Sequence, residues 1–346
     1  MKLGLMAGYS PAQLHLPMDL VLEAERLGFH SVWTAEAYGT DAVSPAAWIL
    51  ARTQRIHVGT AIMQMPARTP TCAAMTAMTL SALSGGRFVL GLGPSGPRVV
   101  EGWYGVAYGR PMTRTREYIS IIRQILAREA PLQHDGFHYQ IPFHGEGASG
   151  LGRPMKSILH GDPSLPIYTA AITPGGLRTA AEIADGVFPI WMNPERFDLL
   201  GTYLDEGFAR AGNGKGLASF DVAPLVSVVL GDDLERCRQP VREHLALYIG
   251  GMGPRNRNFY AEYAVRMGYE AEARNIQDLY LSGRKAEAAA AVPAALIDDC
   301  ALVGPAARIR DRLQRWREAG ARGEVGSLLV GGASVEAMRL LAEELL

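Results

Sequence analysis

The residues Gly91–Gly96 (GLGPSG) place glycines at the first, third and sixth positions. That is the spacing with which a strand-to-helix turn cradles a dinucleotide pyrophosphate. Three features argue against that use. The turn follows the fourth apolar run rather than the first, and Pro94 and Pro97 remove backbone donors. No acidic residue closes a second strand about twenty residues later, as a ribose contact would need. Two readings survive. The free N–H groups and the Ser95 hydroxyl can hold a phosphate or another anion, or the turn needs glycine only for its backbone angles. Glu36 stands in an otherwise uncharged run, WTAEAYG. An acid there could orient a ring or a substrate, or be a solvated or ion-paired loop acid.

Other chemistry finds less support. The eight histidines include no i, i+4 pair around a glutamate, so no metalloprotease signature is present. His134, His138 and His144 share one loop and could ligate together, though scattered loop residues are the simpler reading. The three cysteines, Cys72, Cys237 and Cys300, lack metal spacing, and their odd number does not suggest a disulfide framework. No Gly-x-Ser-x-Gly elbow occurs. The basic run Arg308–Arg317 reads as the wet face of an amphipathic helix opposite Ile309 and Leu313.

The elements that must position these residues alternate. Strands are expected at Lys2–Ala7, Ser31–Thr34, Ile56–Ile62, Arg87–Leu92, Pro166–Ala170, Gly186–Ile190, Asp221–Leu230 and Val325–Val330. Helices are expected at Pro17–Leu27, Pro45–Arg52, Pro70–Leu83, Thr113–Arg128, Gly175–Ala184, Pro194–Ala211, Pro305–Ala319 and Val335–Leu345. Thr69 is the N-cap before Pro70, and Asn193-Pro194 reads as another helix start. About eight strand–helix units imply a parallel sheet closed into a (β/α)8 TIM barrel, one domain over residues 1–346. Residues 129–166 form a long loop, which in a compact domain is usually functional. Residues 232–299 read as a helical insertion before the last unit, with Ile249–Gly253 separating its first two helices.

Composition sets outer limits. Acidic and basic residues nearly balance, for a formal charge of −1, so no basic footprint for nucleic acid exists. No apolar run reaches membrane-spanning length, and the N-terminus lacks a signal-peptide core. A reduced, cytoplasmic setting is expected.

In a barrel of this kind the site lies at the C-terminal ends of the strands. Those ends hold Gly8 and Tyr9; Glu36 and Tyr38; Ala61, Ile62 and Met63; Gly93, Ser95 and Gly96; Ala170, Ala171 and Thr173; and Trp191, Met192 and Asn193. They offer small residues and backbone, with few ionisable groups. That suits a large flat ligand lying against main chain better than it suits a hydrolytic constellation.

Several of these stretches together, KLGLMA, GFHSVWTAEAYGTDA, RIHVGTAIMQMPARTP and LSGGRFVLGLGPSGPRVVEGWYG, resemble the bacterial-luciferase-like superfamily. AAEIADGVFPIW also looks like a later strand of that family, so the resemblance runs through most of the chain. The nearest branch uses coenzyme F420, an 8-hydroxy-5-deazaflavin. It includes methylenetetrahydromethanopterin reductase, a secondary alcohol dehydrogenase and a glucose-6-phosphate dehydrogenase.

The resemblance implies a (β/α)8 barrel with inserted helices. It implies a non-prolyl cis peptide at Ala61–Ile62 against one face of the deazaflavin. It matches Glu36 to the branch's acidic residue, Ser95 and Gly96 (after Gly93) to its phosphate loop, and Ala170 and Ala171 to its main-chain contacts. Glu36 is then the candidate acid or base, with Tyr9 and Tyr38 as alternatives.

Two positions depart from the branch. Ala37 stands where the alcohol and sugar-phosphate enzymes carry a histidine, and Pro97 stands where the latter carries a glutamate. Reduction of a C=C or C=N bond therefore fits better than alcohol oxidation. The alternatives are an FMN-dependent monooxygenase on the same fold and a non-catalytic ligand-binding barrel. The family commonly forms dimers, so a homo-oligomer acting on a small-molecule substrate is expected.

Overall fold

The computed structural model describes residues 1–10 and 12–346. Among them, eleven strands form one sheet in which every pairing is parallel. Strands covered on both faces read as unbroken apolar runs, and Phe88–Gly93 (FVLGLG) is buried at all six positions. From Gly186–Phe188 the sheet passes through Ile167–Ala170, Phe88–Gly93, His57–Thr60, Ser31–Thr34 and Lys2–Gly8 to Ser327–Gly331. Both ends of this path meet in one stretch. Asp221–Val222 pairs with the Gly186–Phe188 strand, and Leu225–Leu230 pairs with Ser327–Gly331. The sheet thus curls back on itself.

Several expected boundaries shift. Asp221–Leu230 is two strands rather than one, broken at Ala223-Pro224. Proline has no N–H to give a ladder, so the chain changes partners there. Ala301–Gly304 is a strand not expected from sequence, added along the outside of Leu225–Leu230. The third strand stops at Thr60 and resumes as the short strand Met63–Gln64. Asn193-Pro194 does not begin a helix. The Asn193 side chain accepts from the Glu195 N–H in a turn, and the helix starts at Asp198. Thr69 does cap Pro70–Ser84, accepting from the Cys72 N–H at 3.2 Å.

The main core lies between sheet and helices, where Leu3, Val32, Ile49, Val58, Leu90 and Ile122 are buried. Each such side chain contributes roughly 1.5–3 kcal/mol by leaving water. A smaller cluster, Trp33, Val89, Phe188, Ala223 and Leu329, packs separately from it. Between Leu230 and Ala301 come five helices, from Leu234–Gly251 to Ala294–Cys300, with no strand among the described residues. They enclose a core of their own built on Leu245, Ile249, Tyr263, Ile276, Leu296 and Ile297.

The loop 129–166 contains a hairpin of His134–Asp135 with Gln140–Ile141. Its turn is pinned by Glu117, whose carboxylate accepts from the N–H groups of Phe137, His138 and Tyr139 at 2.8, 2.9 and 3.1 Å. His134 lies beside Glu117, His138 bonds to the Arg110 backbone, and His144 is exposed. The three histidines therefore do not gather into a ligand set. Among the described residues no group of three or more His, Cys, Asp or Glu could hold a metal. No helix of the described chain is long and apolar enough to cross a membrane.

Candidate active site

The centre of the site is an interruption of the third strand. Gly59 pairs with Val89 and Met63 with Leu92. Four steps on one strand thus face three on the next, which is a bulge. Ala61 and Ile62 occupy it, and the peptide between them is cis. The Thr60 hydroxyl bridges the interrupted ladder. It accepts from the Gly91 N–H at 3.0 Å and donates to the Gly91 carbonyl at 2.7 Å.

This explains two glycines of the GLGPSG run. A Cβ on Gly91 would stand 1.7 Å from the Thr60 carbonyl oxygen, and one on Gly93 would stand 2.4 Å from Ile62 Cδ1. Both clear space for the bulge. Neither is there to admit a pyrophosphate.

Glu36 supports the same bulge from the second strand. Its carboxylate is nearly fully buried and accepts four bonds. Oε1 takes the Gln64 N–H at 2.7 Å and Arg68 Nη1 at 2.6 Å, while Oε2 takes the Ala42 N–H at 3.0 Å and Arg68 Nη2 at 3.1 Å. The Glu36 N–H donates to the Ile62 carbonyl at 3.2 Å, and the Ala61 N–H donates to the Thr34 carbonyl at 2.6 Å. With its acceptor directions filled, Glu36 is arranged to hold backbone. A cavity of about 290 Å³ opens beside this pair, lined by Tyr38, Asp41, Arg68, Trp103 and Tyr104 among others.

Ala61, Ile62 and Ala170 pack against the same small cluster around Trp33 and Phe188. The structure therefore brings the third and fifth strand ends together, with Gly93 against Ile62. Ala171 follows, its N–H 3.4 Å from the Phe188 carbonyl, and it packs on the main core instead. Ser95 has a left-handed backbone with φ of 59°. Gly96 then begins the six-residue helix Pro97–Gly102, and a Cβ on Gly96 would meet open space. The Ser95–Gly96 turn is thus open, one loop away from the bulge.

Burial, and then the Glu36 charge, raise Tyr104, whose hydroxyl lies 3.4 Å from the Ala37 carbonyl. Sequence reading missed Arg68, Gln64 and Thr60, the parts that hold the bulge. Arg68 carried one usable signal, a lone cation just beyond the third strand in MPARTP.

The match to known proteins extends over the whole chain. The model of the luciferase-like monooxygenase family matches residues 2–323. A Mycobacterium tuberculosis protein named a candidate coenzyme F420-dependent oxidoreductase is 45% identical over 346 residues, covering 99% of this chain and 98% of its own. The 5,10-methylenetetrahydromethanopterin reductase of Archaeoglobus fulgidus is 28% identical, covering 93% and 92%. Among solved structures, the coenzyme F420-dependent tetrahydromethanopterin reductase of Methanopyrus kandleri superposes with a TM-score of 0.78. It is 22% identical and covers 99% of this chain and 97% of its own, a likeness of fold. The chain belongs to the luciferase-like monooxygenase family.

Proposed function

We propose that this protein is an oxidoreductase that passes a hydride between coenzyme F420 and a small organic substrate, reducing C=C or C=N bonds in preference to oxidising alcohols. The observation that carries the reading is the bulge, a half-buried piece of main chain at the strand ends, Ala61–Ile62. Gly93 is the test of fit. A Cβ there would push Ile62 out of place, so Gly93 keeps the bulge in the position where a flat ring would rest. The near-full-length relative named for coenzyme F420 supports the choice of ligand.

Bound there, the coenzyme would supply the carbon that carries the hydride. The protein's own residues do the rest. Ala61 and Ile62 form the rest for the ring, with Glu36, Arg68 and Gln64 as its struts. Ala170 and Ala171 offer main chain from the fifth strand. The Ser95–Gly96 turn would hold the coenzyme's anionic tail. Glu36, saturated by four donors, positions rather than shuttles protons. Tyr9 and Tyr38 are exposed at the mouth and can hand a proton to substrate. Ala37 leaves no histidine base beside the acid, which supports reduction.

The same reading takes residues 1–346 as one (β/α)8 barrel, residues 232–299 as an insertion shaping the pocket, and the chain as a homodimer. Light scattering tests the dimer. Titration with F420, followed by coenzyme fluorescence, tests the function. Saturable binding is expected, and tight binding of FMN with none of F420 would overturn it. The family description favours one competitor, an FMN monooxygenase, which predicts oxygen uptake dependent on reduced FMN.

A further inference from the structure

The sheet and the block of helices meet over two neighbouring strand ends. Phe88–Gly93 and Ile167–Ala170 run side by side with Leu92 opposite Thr169. The chain leaving Gly93 and the chain leaving Ala170 therefore start about 5 Å apart. Past the first come Ser95, Gly96 and Arg98, and past the second come Ala171 and Ile172. One arginine ties each exit to the helices. Arg98 Nη1 donates at 3.2 Å to the carbonyl of Gly251, the last residue of Leu234–Gly251. In the opposite direction Arg266, the last residue of Phe259–Arg266, donates through Nη2 to the Ile172 carbonyl. Its guanidinium lies over the Tyr263 ring, 5.1 Å from the centroid.

A carbonyl fills a donor direction and leaves the charge uncompensated. Among the described residues no carboxylate pairs with Arg98 or Arg266. Arg238, Arg242, Arg255, Arg274 and Arg284 of the same block each meet one. Glu101, one turn beyond Arg98, accepts from the Tyr108 N–H at 3.3 Å instead. Glu262, one turn before Arg266, is exposed. The negative end of Leu234–Gly251 offsets at most about half of the Arg98 charge.

Donors are also left over. A guanidinium has five N–H groups in a planar fork, and each of these two spends one on its carbonyl. Arg266 Nε is buried with no partner. A buried donor costs free energy until an acceptor reaches it. The acceptors that match both the fork and the charge are paired oxygens of a phosphate or a carboxylate.

We infer that Arg98 and Arg266 form an anion-binding corner at the seam between the sheet and the helical block, taking phosphate or carboxylate groups of a bound molecule. This rests on the reading that coenzyme F420 occupies these strand ends. Two sources can supply the anion, the coenzyme's tail or an anionic substrate.

Two titrations of the full-length protein test it. Inorganic phosphate, followed by calorimetry without coenzyme, should bind saturably. Arg98→Gln and Arg266→Gln should each weaken it about tenfold. Arg98→Lys, which keeps the charge, should restore most of the affinity. Arg255→Gln removes a paired charge from the same block and should leave it within about twofold. Arg98 is exposed, so its variants report even where Arg266→Gln unfolds. The second titration compares coenzyme F420 with an 8-hydroxy-5-deazaflavin that lacks the tail, both read by fluorescence. If the tail is the source, F420 binds about tenfold more tightly, and Arg98→Gln removes that advantage. If a substrate is the source, the two deazaflavins bind alike, and phosphate still binds with F420 in place.

Phosphate affinity that is absent, or equal in wild type and both glutamine variants, would overturn the inference, even where the variants lose stability. Phosphate binding in the expected pattern with neither deazaflavin bound would instead overturn the coenzyme reading and leave the anion corner standing.

Discussion

Gly91 and Gly93 are two residues apart, yet a side chain on each meets a different obstacle. At Gly91 the obstacle is the Thr60 carbonyl, which is backbone and cannot rotate away. Gly91→Ala should therefore cost about 3 kcal/mol or more, read as a lower urea midpoint. At Gly93 the obstacle is the tip of Ile62, which can turn. Gly93→Ala should cost only about 1 kcal/mol but lower coenzyme affinity by displacing the resting surface. Gly96 has φ of −102° and open space around it, so Gly96→Ala should change stability by less than about 0.5 kcal/mol. Equal losses at all three positions would refute the bulge account. Arg68→Met strands a buried carboxylate and should cost about 3–5 kcal/mol in chemical denaturation. Sequence showed that these glycines and Glu36 were unusual. It could not show their partners, because Glu36 and Arg68 are thirty-two residues apart and meet only after two strands have paired.

At the scale of elements, the other end of the sheet carries a titratable pair. His30 precedes the second strand and His57 opens the third, and their rings stack at 4.5 Å. Burial, then the neighbouring His57 and Lys2, push His30 down to about 4. Burial likewise lowers His57, with Lys2 and Arg87 adding to the effect. In the unfolded chain both titrate near 6.5, so between pH 6.5 and 4 the unfolded state binds protons the folded state refuses. Their contribution to stability is complete above pH 6.5 and is lost as pH falls toward 4. Thermal melts across that range should show the decline, and His30→Gln should flatten it; an unchanged slope in the variant would refute this assignment. Elements were the most legible level in sequence. The strand–helix alternation and most element types follow from apolar periodicity. The failures have physical causes. The helix Leu234–Gly251 runs through Gly250 and Gly251, where glycine was expected to stop it, because Tyr280 packs there. A Cβ on Gly250 would stand 2.3 Å from Tyr280 Cβ, so packing overrides propensity. Pro224 carries the signal for the break in the seventh strand, but the apolar run around it led to an expectation of one unbroken strand.

At the scale of the whole molecule, the two largest hydrophobic cores divide the chain between sheet and helical block. The helical block closes on its own apolar cluster, while the sheet closes on another. Hydrogen exchange followed by mass spectrometry should find the amides of 234–300 opening as a unit distinct from the strands. A single cooperative opening of both would contradict it. The two are joined by Trp191 and Val303, which pack into the helical block's cluster, by Arg308 on Asp298, and by Arg98 on the Gly251 carbonyl and Arg266 on that of Ile172.

The block leaves the sheet after Leu230 and returns at Ala301, which pairs with Ser227 on that same departing strand. Entrance and exit are thus neighbours on one ladder. A genetic crossover with breakpoints at those two places would exchange the whole block and leave the sheet's hydrogen bonding intact. The strand ends that would hold the coenzyme lie before the first breakpoint, and the five-helix block lies between the two. A laboratory chimera cut at Leu230 and Ala301 would therefore exchange the block with the sheet's ladders kept, and is the construction this architecture invites.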